Sequence, residues 1–391
     1  MEARRWSALG LAVLTHGFRP FFLAGSVFAA LGIPLWLLML AGKIEPLGPF
    51  TALPWHVHEM LFGFIPAIMA GFVLTAIPNW TGRLPLSGLP LAALALLWLT
   101  GRIASALVAA PLVALVLDCS FLIVLSAAIW REILAGSNYR NLPVAILFSL
   151  MALANLAFHL DAGWWQSQGY GIAERAGLGV AAMLVSLIGG RIVPSFTRNW
   201  MTRNSLAPLP APFGPFDKLV LVISAVALAG WVVVPEMMVS GFLLVVAGGL
   251  AAIRLWRWRG LRTIGEPIVA ILHIGYLWLA VSFLLLGLAI LEPDFVTPSA
   301  AIHALTAGAI GTMMLAVMTR ASLGHTGHDV AAGPATVAIY ALVTLGAVLR
   351  VAAPFLDAWY LTVLTAGGLV WSAAFALFAM VYGRLLIAPA R

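Results

Sequence analysis
Apolar residues occur in this chain as long uninterrupted blocks, near 20–41, 57–78, 88–109, 111–130, 143–160, 173–194, 216–236, 239–256, 267–291, 298–319, 333–354 and 358–384. Each is close to the ~20 residues that carry an α-helix across the bilayer hydrocarbon. A membrane-spanning strand would be about half as long and would alternate apolar with polar. The pattern therefore predicts an all-α polytopic transmembrane bundle of about twelve helices. The seventh and eighth blocks are the least distinct, with only residues 235–238 between them.

Composition strengthens this reading. The 391 residues are 63% hydrophobic and 9% charged, against about 25% charged in a soluble domain. Too few charges remain to cover a water-facing surface, so the whole of 1–391 reads as a single integral membrane domain. A Pro- and Arg-rich stretch from Pro194 to Pro215 is either a hinge between pseudo-halves 1–205 and 206–391 or an ordinary linker. No cleavable leader is expected, because the first 20 residues are polar and basic and the first apolar run is long enough to span.

Charge adds an orientation. With the N-terminus inside, seventeen of the 21 Lys and Arg fall on the cytoplasmic side, leaving Lys43, Arg102, Arg175 and Arg350 outside. Positive charge marks cytoplasmic loops, so both termini are expected in the cytoplasm. The net charge of +7 is spread over short loops and forms no basic domain, which excludes a nucleic-acid binder. Cys119 stands alone, which excludes an intrachain disulfide and a cysteine zinc site, and it reads as a small core hydrophobe. The fifteen Trp suit interfacial belts, and Met313, Met314 and Met318 suit core filler.

Ionisable groups inside a membrane are costly unless paired. Arg102 and Asp118 lie at similar depth on a tight helical hairpin and are expected to form a salt bridge. The eight histidines fall into two layers. His56, His58, His159 and His303 lie near the outer ends of their blocks; His16, His273, His325 and His328 lie near the inner ends. Neutral imidazole is a common metal and haem ligand. On a regular helix His56 and His58 diverge by about 200°, whereas His56 and Glu59 differ by about 60°. One histidine can therefore face a central cofactor, with Glu59 expected beside His56 as a carboxylate that orients it. His303 is followed by small residues that leave room for close helix packing or for a flat macrocycle. The inner layer also carries Arg19, Arg191, Arg198 and Arg320, suited to haem propionates, to lipid head groups or to plain positive-inside anchoring. Aligning His58 with His303 pairs Gly63 with Gly308, Ile65 with Ile310, Met69 with Met314 and Thr81-Gly82 with Thr326-Gly327. This offset of 245 reads as an ancestral repeat or as coincidence in Ala/Gly-rich sequence.

Five motifs together, His16-Gly-Phe-Arg-Pro-Phe-Phe, Trp55-His-Val-His-Glu-Met, Pro78-Asn-Trp-Thr-Gly, Arg191-Ile-Val-Pro-Ser-Phe-Thr-Arg-Asn and Met318-Thr-Arg-Ala-Ser-Leu-Gly-His-Thr-Gly, resemble the NnrS family over nearly the whole chain. That resemblance implies a multi-pass protein of the bacterial inner membrane, associated with haem and copper and with the response to nitric oxide and nitrosative stress. A second likeness, to the haem–copper oxidases and their nitric oxide reductase relatives, is architectural only. It would put a bis-histidine haem between the second and tenth helices at His58 and His303, with His56 as substitute. The sixth and seventh blocks hold no histidine, so the copper site of those enzymes is not reproduced. His16 and His325 are the expected contributors to an inner metal or haem site. The leading expectation is a protein holding haem, b-type, with copper as a further candidate, that binds or metabolises nitric oxide, with quinol as the electron donor if it turns over. A twelve-helix secondary transporter and a non-catalytic haem sensor or buffer of nitric oxide are the alternatives.

Overall fold
The computed structural model describes residues 6, 11–161 and 171–389. Their regular structure is all helical, without a strand among them, and twelve helices are long and apolar enough to cross a membrane. We number them α1 (Phe18–Leu40), α2 (Ala52–Thr81), α3 (Leu89–Leu107), α4 (Pro111–Ala135), α5 (Tyr139–Leu160), α6 (Ile172–Arg203), α7 (Pro215–Val233), α8 (Met238–Trp256), α9 (Pro267–Leu291), α10 (Pro298–His325), α11 (Pro334–Phe355) and α12 (Asp357–Ile387). Each apolar block becomes one helix, and the seventh and eighth are separate. Arg4, Arg5 and Arg391, counted above as cytoplasmic charges, lie outside the described residues.

Proline opens α4, α7, α9, α10 and α11. It has no N–H to leave unpaired at a helix start, and its fixed φ suits the first turn. Gly82, in the left-handed region at φ +69°, ends α2.

Two helices run further than hydropathy suggests. α6 continues through Pro194 to Arg203, and α10 continues to His325. The motifs at 191–199 and 318–325 are therefore helical rather than loops, and the linker after α6 shortens to 204–214. The extensions are polar, so an apolar block ends before the hydrogen-bonded helix does.

Three helices stand apart from the rest. α2, α6 and α10 bury 78, 72 and 78% of their most apolar stretch, against 33–50% for the other nine. The same three contain a π-helical segment, at Glu59–Phe64, Val185–Gly189 and Ala304–Ile310. Such insertions shift the register of one turn and are frequent at functional sites. His58 and His303 are each the last α-helical residue before their π-segment, so the offset of 245 aligns a backbone irregularity as well as side chains.

The chain forms two compact units. The first comprises 1–180, 321–329 and 375–391, and the second 181–320 and 330–374. In the first, α1 and α2 approach through Gly25 and Gly71, where a Cβ would stand 2.5 Å from Ile68 and 2.8 Å from Phe22. In the second, α8 and α9 touch backbone to backbone at Gly241, Gly248 and Gly287. Lipid tails are as apolar as Leu, so such close packing is what binds helices in a bilayer.

Candidate metal centre
The first unit buries five ionisable side chains from four helices in one cluster. His58 and Glu59 come from the start of the α2 π-segment, Arg102 from α3, Asp118 from α4 and His159 from the end of α5. His58 is 0% and Glu59 1% exposed. The expected Arg102–Asp118 salt bridge forms, through Nη2 and Oδ1, and Nη1 of the same guanidinium lies 2.7 Å from Glu59 Oε2. Arg102 reaches both carboxylates by crossing Gly63, where any Cβ would overlap the guanidinium. Trp98 of α3 donates to the Gly63 carbonyl at 2.9 Å and holds the crossing in place.

Asp118 Oδ2 is the focus of the cluster. His58 Nε2 lies 3.1 Å from it, His159 Nε2 3.0 Å, and Asn155 Nδ2 donates to it at 2.8 Å. His58 Nδ1 lies 2.8 Å from Glu59 Oε1. Phe50, Phe62 and Phe158 pack on His58 with ring centroids 5.0, 5.9 and 5.4 Å away, which keeps the site dry.

Counting protons shows what this arrangement can hold. Both ring nitrogens of His58 face carboxylate oxygens, so without a metal ion each contact needs a proton, held on the ring or on the facing carboxyl group. Glu59 and Asp118 against Arg102 leave one net negative charge, and an imidazolium at His58 cancels it. A metal ion can replace the Nε2 protons instead. One atom each from His58, Asp118 and His159 lies within 4.8 Å of the others, and two imidazoles with one carboxylate form a common ligand set for first-row metals. Glu59 then accepts from His58 Nδ1, the outer carboxylate that metal-bound histidines characteristically have. Asn155 Oδ1, buried without a hydrogen-bond partner, adds a further oxygen beside the site. These residues fit a compact ion. A haem iron on His58 would have to displace the Asp118 or the Glu59 contact.

The other expected site residues fall in distinct surroundings. Glu59 sits on His58, not on His56, because His56 turns away and stacks on Trp36 at 4.1 Å between centroids. His303 belongs to the second unit. Its Nδ1 donates to the Ser299 carbonyl at 2.7 Å. In the first unit His16 and His325 flank Phe18, with ring centroids 6.1 and 5.5 Å away. Burial, then His325 and Arg19, push His16 below its ordinary value, so it stays neutral and able to ligate near pH 7.

The arginines expected to serve a cofactor have protein partners. Arg19 donates to the Leu386 and Ala388 carbonyls at 3.0 and 2.5 Å and caps α12. Arg198 donates to the Pro210 carbonyl at 2.5 Å, and Arg320 lies 3.8 Å over the Phe196 ring. Arg191 is half-buried on α6.

Two features were not legible as sites in the sequence. Asp118 and Arg102 read as a closed structural pair, and nothing in their spacing revealed that His159 and Asn155, one turn apart on α5, converge on the same oxygen. The shared outer depth of His58 and His159 was the available signal. Arg254, one of the seventeen charges assigned above to the cytoplasmic side, is wholly buried in the second unit. It pairs with Asp217 at 2.8 Å and donates to the Ser186 carbonyl in the α6 π-segment and to the Tyr276 hydroxyl.

Compared with known families, the chain matches the NnrS family, described as NnrS protein, over residues 12–390. No curated protein gives a significant match.

Proposed function
The chain belongs to the NnrS family, and from that membership and the buried centre we propose that it is a metal-dependent protein of the bacterial inner membrane that handles nitric oxide. The observation that carries this reading is the convergence of His58 Nε2, His159 Nε2 and Asn155 Nδ2 on one oxygen of Asp118. His58, His159 and Asp118 hold the ion, Glu59 fixes the His58 ring, and Arg102 balances both carboxylates. When bound, the metal supplies a coordination position for a small ligand. Nitric oxide is small and apolar and reaches a dry site through lipid and helix packing, where charged competitors do not follow.

Haem enters the reading through the family. His303, whose Nδ1 donates to the Ser299 carbonyl, is a proposed haem ligand. His58 is committed to the compact centre, and His16 with His325, both in the first unit, is the proposed inner site. Copper is a candidate for the compact centre. Both termini are assigned to the cytoplasm. A transporter has no comparable observation in its favour, and binding and turnover of nitric oxide share the same centre.

The test is a visible spectrum and metal analysis of the detergent-purified protein, before and after anaerobic addition of nitric oxide. The reading expects bound metal and a spectral change on adding nitric oxide. A metal-free, colourless protein that takes up neither metal nor haem on reconstitution overturns it. Turnover with a quinol donor would make the protein an enzyme rather than a sensor.

A further inference from the structure
In the second unit α8 ends and α9 approaches through the run Trp256-Arg-Trp-Arg-Gly-Leu-Arg-Thr-Ile264. Bulky apolar and cationic residues are interleaved in it. Trp256, Leu261 and Ile264 are 68, 71 and 70% exposed, and Arg259 and Arg262 are exposed among them. On a membrane protein, exposed leucine and isoleucine belong in hydrocarbon and exposed arginine among head groups. A turn that presents both lies at the boundary between the two, where an exposed tryptophan at a helix end also belongs.

The turn is firmly held. Trp258 is buried with its ring 4.5 Å from that of Tyr276, and Thr263 donates its hydroxyl to the Gly260 carbonyl at 2.7 Å. Arg257 is occupied by the Phe216 ring, 4.6 Å away. Arg259 and Arg262 are not occupied: neither side chain has an ion-pair or hydrogen-bond partner among the described residues. Both line one crevice of about 850 Å³, formed with α8, α9 and α11, a volume suited to a bound molecule. Arg259 has φ +60°, uncommon for a residue with a side chain, so the turn keeps a guanidinium where glycine would be relaxed. No carboxylate lines the crevice, and Glu266, the nearest in sequence, interacts electrostatically with Arg320. Two cations thus share one rim without a counter-charge. From that rim the crevice follows α9 from Pro267 to Leu277, roughly 15 Å at helical rise. Ile274, Leu277, Val337 and Ala341 line it and are exposed.

We propose that this crevice binds one anionic phospholipid, with its phosphate on Arg259 and Arg262 and an acyl chain in the apolar slot along α9 and α11. Basic pockets between membrane helices hold such head groups by charge. The unpaired rim selects net negative charge. Phosphatidylglycerol brings the phosphate alone, whereas phosphatidylethanolamine adds an ammonium that two arginines repel and no carboxylate receives. The slot selects a lipid over a free phosphate. The site is independent of the metal centre, which belongs to the first unit.

The test is native mass spectrometry of the full-length protein in detergent, titrated with phosphatidylglycerol and, separately, phosphatidylethanolamine, each with and without inorganic phosphate. One tightly held phosphatidylglycerol per chain is expected, with weaker binding of the ethanolamine lipid and no displacement by phosphate. Arg259→Gln combined with Arg262→Gln should weaken phosphatidylglycerol binding roughly thirtyfold. Ala341→Trp, which fills the slot from an exposed position and keeps both charges, should weaken it too. Arg203→Gln combined with Lys218→Gln removes the same charge from exposed positions of the same unit outside the crevice, and should leave binding nearly unchanged. Equal binding of the two lipids, displacement by phosphate, wild-type affinity in the Arg259/Arg262 double variant or in Ala341→Trp, or an equal loss in the Arg203/Lys218 control would overturn the proposal.

Discussion

At the scale of single residues, Arg102 is the side chain on which the outer cluster depends. It faces two buried carboxylates, and removing one partner of a buried ion pair costs about 3–5 kcal/mol because the remaining charge is uncompensated. Arg102→Ala should therefore sharply lower thermal stability in detergent, read by fluorescence-detected size exclusion after heating. Glu59→Gln in the same background should recover part of the loss, and no recovery would mean that charge is not the cause. Gly63→Ala should reproduce the Arg102→Ala defect without altering any charge, since its Cβ occupies the path of the guanidinium. Unchanged stability would show that Arg102 has another route. The sequence showed that Arg102 and Asp118 needed each other. It did not show that His159 needed them too, because a contact between side chains 41 residues apart is set by how helices rotate about their axes, and apolar blocks without a strong polar stripe leave that rotation open.

At the scale of helices, two of the three π-segments are each met by a buried arginine. Arg102 crosses the α2 π-segment at Gly63. Arg254 donates to Ser186 in the α6 π-segment, and its guanidinium lies where a Cβ on Gly190 would be. At α6 the guanidinium, with five donors, bonds a carbonyl of the π-segment directly; at α2 the carbonyl of Gly63 is bonded by Trp98 instead. The Arg254–Asp217 pair should behave as a unit. Arg254→Met and Asp217→Leu alone should each destabilise, while the double variant, which leaves no orphaned charge, should recover most of the loss. Additive losses in the same heating assay would contradict this. The helix count and most helix starts were legible because hydropathy and proline report them directly. The π-segments were not, since Glu59–Phe64 and Ala304–Ile310 contain ordinary helix-compatible residues. Only the repeat at offset 245 hinted that the two stretches share a feature.

At the scale of the whole molecule, the orientation proposed from the distribution of Lys and Arg would put the cluster around Asp118 near the periplasm. The two positive charges buried inside their units on the nominally outer side, Arg102 and Arg350, are not loop anchors; without them the exposed charge is still more one-sided. The native Cys119 is buried and should resist an impermeant maleimide, so introduced cysteines report cleanly. Lys43→Cys should be labelled in intact spheroplasts, and Ser205→Cys only after the membrane is opened. The reverse pattern would invert the assignment and move the cluster to the cytoplasmic side. Family membership was legible in five short motifs, and the helix architecture in the apolar blocks. The cluster around Asp118 depends on helix rotations that hydropathy does not report.

The central claim is that a metal ion sits among His58, Asp118 and His159, and elemental analysis of purified protein tests it most directly. We predict that His159→Ala contains one metal equivalent less than the wild type at equal haem content. Identical metal content in the two proteins would show that the cluster holds protons alone, and would contradict the account.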